Sequence, residues 1–367
     1  MSRPNSKKHS GNKIEIKIEV TYAFSNRIPV WESGRSVVSL LFLFVSLFSL
    51  AYAREREVVV YTSVDQVFSE PILKVYEKRI GVKVKAVYDV EAAKTVGLVN
   101  RLLAEKEHPQ ADVFWNSEIA RTIMLKERGV LAPYKSPSAK DIPPQFKDKD
   151  GYWTGFACRA RVLIYNTKLL KESEVPKSIF ELIKPKWKEK VALGYPLLGT
   201  IATHMGALYA VLGQERAEEF LKALKENDVL IVPGNSVVRD ILVEGEVPIG
   251  FTDTDDVNVA IQSGKSVKML YPDQDGIGTL LIPNTVALIK NCPHPEEGKR
   301  LIDFLLSKEV ESLLAFSESA NMPVRDDVKT PPYVPKISSI RFMRVNYEEV
   351  AHNIKKSDRF CQRLFAK

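Results

Sequence analysis

The run Thr252-Asp253-Thr254-Asp255-Asp256 brings three carboxylates within five positions, directly after the apolar stretch 247–251. Carboxylate oxygens are hard ligands that suit iron, calcium or magnesium, and they pair equally well with an organic cation. Asp is also favoured before a helix, so Asp253 or Asp255 could instead cap a helix beginning near Val257. The glycine and the terminal Glu of an EF-hand loop are missing from the required positions. The run therefore predicts ligand contact by at least one of its aspartates.

Other polar and aromatic residues follow predicted strands elsewhere in the chain. Asp65 comes shortly after the first strand and could complete a ligand site from a second direction. Thr200 lies where a helix begins, and the exposed N–H groups of a helix start attract anions, although Thr200 could simply serve as the N-cap. The rings of Tyr61 and Trp115 could stack on an organic cation for about 0.5–2 kcal/mol. Aromatic residues at strand ends are equally typical of a protein core.

Short β-rich runs alternate with amphipathic helical patterns from residue 57 onward. Strands are predicted at 57–61, 82–88, 111–115, 161–165, 191–193, 230–232, 247–251 and 280–288. Helices are predicted at 69–80, 91–105, 118–128, 201–212, 215–227, 295–306, 308–316 and 347–354. A loop rich in Pro and Lys at 133–150 interrupts the alternation. The pattern predicts a two-lobed α/β architecture whose ligand crevice lies at the carboxyl ends of strands.

The composition excludes disordered and fibrous proteins. Of the 367 residues, 45% are hydrophobic and 27% are charged, as in a globular chain of about two domains. The net charge is +7, and seven basic but only three acidic residues fall within the first 53 positions. The rest of the chain has no clustered basic face, so we expect no nucleic-acid binding. The widely spaced Cys158, Cys292 and Cys361 are interpreted as buried thiols, with one disulfide as the alternative.

Residues 1–53 are interpreted as a leader. The uncharged run VVSLLFLFVSLFSLAYA at 37–53 follows Arg35 and ends in the small-x-small pattern that a signal peptidase accepts. Cleavage there would leave a mature chain that begins near Arg54. The run is also about long enough to span a bilayer, so an uncleaved anchor, as in a membrane-bound sensor, is the alternative.

Four stretches, in this order along the chain, resemble the substrate-binding proteins of ABC importers, and among these the ferric-ion-binding group. The stretches are VVYTS at 59–63, PQADVFW at 109–115, RARVLIYN at 159–166 and EGEVPIGF at 244–251. The resemblance implies the type II periplasmic binding protein fold, in which each lobe is a mostly parallel sheet flanked by helices. We place the first lobe at 54–160 and 276–330, the second lobe at 161–275, and a helical extension at 331–367. The resemblance also implies a periplasmic monomer that delivers its ligand to an ABC permease of the inner membrane.

The same resemblance implies roles for individual residues. Iron-binding relatives carry a Tyr-Tyr pair at the place that Asp255 and Asp256 occupy in this sequence. Glu118 lies near the position of an acidic ligand residue, and stabilisation of the first turn of a helix is its alternative role. Arg159 lies where such relatives hold a synergistic anion, and an ordinary salt bridge is its alternative. The implied cargo is Fe3+ with an anion, bound by Asp255, Asp256 and Glu118, and no resident cofactor is expected. Another cation or an organic anion is the alternative cargo.

A secreted hydrolase that uses Asp255 or Glu118 as its base is the competing class of function. The sequence contains neither G-x-S-x-G nor H-E-x-x-H, and its histidines show no zinc-site spacing. We therefore predict a binding protein rather than an enzyme.

Overall fold

The computed structural model describes residues 56–89 and 95–366. The predicted leader at 1–53 lies outside the described residues, and so do residues 90–94, where the predicted helix 91–105 would begin. The strands are β1 (Glu57–Thr62), β2 (Lys83–Tyr88), β3 (Val113–Asn116), β4 (Leu131–Ala132), β5 (Thr154–Asn166), β6 (Val191–Gly194), β7 (Leu230–Val232), β8 (Ile249–Asp253), β9 (Val267–Leu270) and β10 (Leu281–Ile289). The helices are α1 (Gln66–Ile80), α2 (Val96–Ala104), α3 (Ala120–Glu127), α4 (Gly199–Leu212), α5 (Gln214–Glu226), α6 (Asn235–Glu244), α7 (Thr254–Gln262), α8 (Pro295–Leu305), α9 (Lys308–Phe316) and α10 (Tyr347–Phe365).

The long strand β5 joins two groups of elements. The strand order is β2-β1-β3-β10-β5-β8-β6-β7, with β4 beside β10 and β9 beside β5. β5 pairs with β10 up to Ala160, and it pairs with β8 from Arg161 onward. We call β1–β4, β10, α1–α3, α8 and α9 the first-lobe group, and β6–β9 with α4–α7 the second-lobe group. The predicted lobe boundaries stay a prediction, and the change of partner strands between Ala160 and Arg161 supports them.

The structure confirms the α/β class, and its sheet is more mixed than predicted. β1 runs parallel to β2 and β3, and β6 runs parallel to β7 and β8, as the alternation of strands and helices indicated. The crossing strands β5 and β10 instead run antiparallel to their neighbours. Every residue of β5 is buried, which suits its position at the centre of the sheet.

Apolar side chains cover both faces of this sheet. The larger cluster extends from β1 and α1 through β3, β10 and α8 to Val257 of α7. A second cluster packs α4 and α5 against the second-lobe strands and includes Phe360 of α10. Cys158, Cys292 and Cys361 are buried and form no disulfide, as predicted.

Three regular elements, α6 and the short strands β4 and β9, are not predicted by the sequence pattern. The helix α6 buries only Val238 and Leu242, so its apolar stripe is too narrow to stand out. The short strand β9 has only one buried residue, Val267. The pattern also predicts only the first part of α10. Within residues 56–89 and 95–366, no helix has both the length and the apolar character that crossing a bilayer requires.

Candidate ligand-binding cleft

The amino-terminal ends of four helices meet at one cavity of about 260 Å³. These helices are α1, α4, α6 and α7, and each follows directly on a strand, namely β1, β6, β7 or β8. Loops at the carboxyl ends of strands form the ligand crevice in open α/β sheets, which is the position predicted from the sequence. The cavity is lined by Asp65, Val67, Phe68, Ser117, Arg159, Leu198, Gly199, Thr200, Ile201, Pro233, Gly234, Asn235, Ser236, Arg239, Asp255, Asp256, Val259 and Glu318.

Carboxylates from both lobe groups face this cavity. Asp65 immediately precedes α1, and Glu318 follows α9, so both belong with the first-lobe group. Asp255 and Asp256 occupy the first turn of α7 in the second-lobe group. Two guanidinium groups in the lining offset only part of this negative charge. The cavity therefore suits a ligand that carries positive charge, while the helix ends favour an anionic portion.

Asp253 is fully buried and does not line the cavity. Its carboxylate accepts hydrogen bonds from Arg161 Nη1 at 2.8 Å, Thr200 Oγ1 at 2.6 Å and Asn235 Nδ2 at 3.0 Å. Burial opposes ionisation, but Arg161 and Arg159 hold the pKa of Asp253 below its ordinary value. Both oxygens are engaged by protein donors. Asp253 therefore fixes cavity-lining Thr200 and Asn235 in place, and its ligand role stays a prediction.

Arg159 lies in the cavity wall and is 6% exposed. Its Nη1 donates to Asp255 Oδ2 at 3.2 Å, and its Nη2 donates to the backbone carbonyl of Ser117. Burial works against the charge, but Asp255 and Asp253 raise the pKa of Arg159 further above its ordinary value. Its Nε is buried without a hydrogen-bond partner among the described residues. Because an unpaired buried donor is costly, this nitrogen is a point at which a ligand acceptor would be stabilised.

Asp255 and Asp256 both line the cavity, and their ligand role stays a prediction. Oxygens of Asp253, Asp255 and Asp256 lie within 4.8 Å of one another, close enough to share a metal ion. Asp256 also accepts a hydrogen bond from Thr252 Oγ1 at 3.0 Å and lies 3.9 Å from Arg239 Nη1. Both aspartates face the cavity from the first turn of α7, where negative charge is favoured, while Asp253, the N-cap residue of α7, makes no side-chain capping hydrogen bond.

Glu118 is not in the cavity lining and is fully buried. Its Oε2 accepts hydrogen bonds from the backbone N–H of Ala120 at 2.7 Å and from Thr203 Oγ1 at 2.8 Å. Its Oε1 accepts one from the backbone N–H of Arg121 at 3.1 Å. The protein donors on both oxygens of Glu118 favour its alternative role, stabilisation of the first turn of α3, and its metal-ligand role stays a prediction.

Tyr61 and Trp115 belong to the core rather than to the cavity. The Tyr61 hydroxyl donates to Glu105 Oε2 at 3.0 Å, and its ring lies 4.6 Å from the Arg101 guanidinium. Trp115 is fully buried, with its ring 6.0 Å from that of Phe156. Their burial favours the alternative of core packing, and stacking of these two rings on a ligand stays a prediction.

Several lining residues are missed by the sequence analysis. Asn235, Ser236 and Arg239 belong to α6, and they are missed because that helix is not predicted. Small and polar residues after the strand β7 are a usual signal of a helix start and could have revealed it. Glu318 lies in an irregular segment after α9, where no local pattern marks it as a ligand residue.

Comparisons with known proteins agree with this architecture. The profile of a family described as bacterial extracellular solute-binding protein matches residues 111–353. Iron uptake protein A1 of Synechocystis sp. is 25% identical over 271 residues, which cover 71% of this chain and 74% of that protein. A Salmonella typhi protein, provisionally named a 2-aminoethylphosphonate-binding periplasmic protein, is 29% identical over 237 residues, which cover 63% of this chain and 67% of that protein. The crystal structure of iron-bound HitA from Pseudomonas aeruginosa matches with a TM-score of 0.76 at 22% identity, covering 84% of this chain and 99% of that one. The structural match shows the two-lobed fold.

Proposed function

The chain belongs to the bacterial extracellular solute-binding protein family, and from this premise we propose that it captures a solute between its two lobes and delivers it to an ABC permease. Closure of two lobes around a ligand is the usual motion of this architecture. The proposal places the protein outside the cytoplasm as a periplasmic monomer, exported through the leader at 1–53. It assigns the chain a binding role and no catalytic step.

The proposed ligand is ferric iron, and one observation carries this choice. Carboxylates of both lobe groups face the same cavity, with Asp65 and Glu318 on one side and Asp255 and Asp256 on the other. Four carboxylates drawn together repel one another, and a hard trivalent cation between them would replace that repulsion with attraction. The iron in the name of the Synechocystis relative and in the HitA structure supports the same ligand.

An anion that accompanies the iron would bind at Arg159. The buried Nε of this residue is without a hydrogen-bond partner among the described residues. The amino-terminal ends of α4 and α6, at Gly199 and Asn235, face the same cavity and add partial positive charge. An anion at this place would pair the Arg159 nitrogen and complete the coordination of the metal.

A small zwitterion with an ammonium and a phosphonate group is the second candidate. The described residues that line the cavity include no tyrosine, so the cavity offers no phenolate oxygen to ferric iron. The carboxylates suit an ammonium group, and Arg159 with the ends of α4 and α6 suits a phosphonate. The provisional name of the Salmonella typhi relative supports this ligand class.

The test uses the mature chain from Arg54 after removal of bound ligand. Melting temperature and isothermal titration heat are measured with ferric nitrilotriacetate, with 2-aminoethylphosphonate and with inorganic phosphate. A ligand that binds only the native state raises the melting temperature. Asp256→Asn is the test variant, and Asp275→Asn, an exposed carboxylate outside the cavity, is its matched control.

The iron proposal expects binding of the ferric probe that Asp256→Asn weakens and Asp275→Asn leaves unchanged. It also expects no visible tyrosinate-to-iron absorption band, because no tyrosine faces the cavity within the described residues. Binding of 2-aminoethylphosphonate without iron would establish the second candidate instead. Failure of all three probes would reject both ligand assignments.

A further inference from the structure

A second cavity, of about 390 Å³, lies outside the ligand-binding cleft. It is formed by the loop rich in Pro and Lys at 133–150 together with the first residue of β5, and the proposed function uses neither. None of its lining residues lines the cleft. The charged residues of its lining are Lys135, Lys140, Lys147, Lys149 and Asp148. This cavity therefore has a strongly positive lining, in contrast to the acidic cleft.

The four lining lysines have no carboxylate partner in the described part of the chain. Lys135, Lys140 and Lys149 are exposed and form no ion pair there. Lys147 is half-buried, and its Nζ donates to the backbone carbonyl of Ala139 at 3.0 Å. A carbonyl oxygen satisfies one N–H of this ammonium group but does not balance its positive charge. The four positive charges are thus all available to a ligand.

The carboxylates of the same loop pair with cations that do not line this cavity. Asp148 is the one carboxylate among the described lining residues, and its side chain is only 1% exposed. The pairs of the loop are Lys126–Asp148, Lys126–Asp150 at 3.8 Å, Arg325–Asp141 at 2.8 Å and Lys308–Asp141 at 2.9 Å. The negative charges of the loop are therefore engaged away from the cavity, which leaves its ammonium groups without a counter-charge.

The wall of the cavity is held in shape by contacts within the protein. Two short 3-10 turns, Pro137–Ala139 and Pro144–Phe146, shape the loop, and Phe146 is buried in the larger apolar cluster. The Tyr134 hydroxyl donates to Asp303 Oδ1 of α8 at 2.9 Å. The lysines therefore project from a fixed frame, and a ligand would not have to order the loop in order to bind.

We propose that this lysine-lined cavity is a second binding site, for a small anion that carries two or more phosphate groups. Four like charges around one cavity repel one another, and a multivalent anion between them replaces that repulsion with attraction. An ammonium group binds phosphate as a point charge, with three donors that turn freely. A volume of about 390 Å³ falls within the usual range of small-ligand sites. The phosphates belong either to a free polyphosphate or to the headgroups of an anionic lipid.

The test uses the mature chain from Arg54, freed of metal. Titration heat is measured with tripolyphosphate and with inorganic phosphate at 20 mM and 300 mM NaCl. Co-sedimentation with phosphatidylglycerol vesicles, and with neutral phosphatidylcholine vesicles, tests the lipid source. The test variant carries Lys140→Gln and Lys149→Gln. The matched control carries Lys355→Gln and Lys356→Gln, two exposed lysines of α10 that lie outside the cavity and form no ion pair among the described residues.

We expect tripolyphosphate to bind the wild type and the control variant equally. The variant at Lys140 and Lys149 should bind it about tenfold more weakly or worse, because two of the four charges are removed, while its melting temperature without ligand stays unchanged. Binding should weaken at 300 mM NaCl, since exposed charges are screened, and inorganic phosphate should bind less tightly.

Amine acylation followed by mass spectrometry locates the bound anion on the chain. Tripolyphosphate should slow acylation at the four lining lysines and leave Lys355 and Lys356 as reactive as before. Binding of phosphatidylglycerol vesicles alone, lost in the Lys140 and Lys149 variant, would uphold the site and identify a lipid as the source of the phosphates.

Three results would overturn the site. One is the absence of binding to both tripolyphosphate and phosphatidylglycerol vesicles. Another is an equal loss of binding in the two double variants, which would show a general effect of surface charge. The third is binding that survives Lys140→Gln with Lys149→Gln but is lost in Arg159→Gln, which would place the anion in the cleft. Because the two cavities share no lining residue, failure of the ferric ligand would leave this proposal standing.

Discussion

Arg159 and Asp255 form a buried ion pair, with 3.2 Å between Nη1 and Oδ2, beside the point where β5 passes from one lobe group to the other. The same guanidinium lies 3.4 Å from Asp253 Oδ2 and donates to the Ser117 carbonyl of the first-lobe group. Arg159 therefore stabilises the negative side of the cleft and connects the two groups. Its removal should affect both stability and binding.

Replacing Arg159 with Gln should lower the free energy of unfolding by about 3–5 kcal/mol, the usual cost of leaving a buried carboxylate without its partner. Urea denaturation at pH 7 measures this change. Arg239→Gln is the matched control, because Arg239 also lines the cavity but pairs with the exposed Asp240. That surface pair is worth at most about 1 kcal/mol. Equal losses in the two variants would contradict the structural role assigned to Arg159.

Asp65→Asn should weaken ferric binding with little effect on stability, whereas Glu118→Gln should lower stability. Asp65 lines the cavity, so its neutralisation should weaken ferric binding by about tenfold or more while the melting temperature of the ligand-free protein changes little. Glu118 is buried and accepts backbone hydrogen bonds, so Glu118→Gln should lower the free energy of unfolding by about 1–3 kcal/mol. Titration calorimetry and thermal melting separate the two effects. A loss of ferric affinity in Glu118→Gln but not in Asp65→Asn would show that Glu118, and not Asp65, contacts the ligand.

The sequence predicts those parts of the site that depend on local order. Asp255 and Asp256 follow a buried strand without interruption, and this position alone places them at the carboxyl edge of the sheet. Glu118 follows its strand in the same way, but Thr203 from a distant helix occupies one of its oxygens. No local sequence pattern can show that a residue 85 positions away will donate a hydrogen bond to this carboxylate.

The remaining differences between the sequence-based predictions and the structure also arise from tertiary contacts. Glu318 reaches the cavity only because α9 packs on the first-lobe sheet, and its own segment is irregular. The strands β5 and β10 look like any apolar run in the sequence, yet their antiparallel crossing decides that the sheet is mixed. Strand direction is set by the connections between elements rather than by the composition of a strand.

Asp253 should make the stability of the protein fall in acid. Arg161 and Arg159 hold its pKa below the ordinary value, so its contribution is present above about pH 4 and is lost as the pH falls through the lowered pKa. Asp253→Asn should therefore be less stable than the wild type at pH 7, and the difference should shrink below pH 4. Guanidinium denaturation at pH 7.0, 5.0 and 3.5 measures this difference in the free energy of unfolding. A difference that stays constant across this range would show that Asp253 acts through packing alone.

Gly206→Ala should destabilise the contact between α4 and α10. Its Cβ would lie 2.7 Å from the Val350 carbonyl oxygen, which is backbone and cannot move aside without shifting α10. Overpacking of this kind costs about 1–3 kcal/mol in free energy of unfolding. Gly276→Ala is the matched control, because its nearest neighbour, the Asp273 carbonyl oxygen, would be at an ordinary 3.7 Å. Denaturant unfolding of both variants checks the prediction, and hydrogen exchange should show faster exchange in α10 only for Gly206→Ala. Unchanged exchange in α10 would show that the two helices are not in the close contact described.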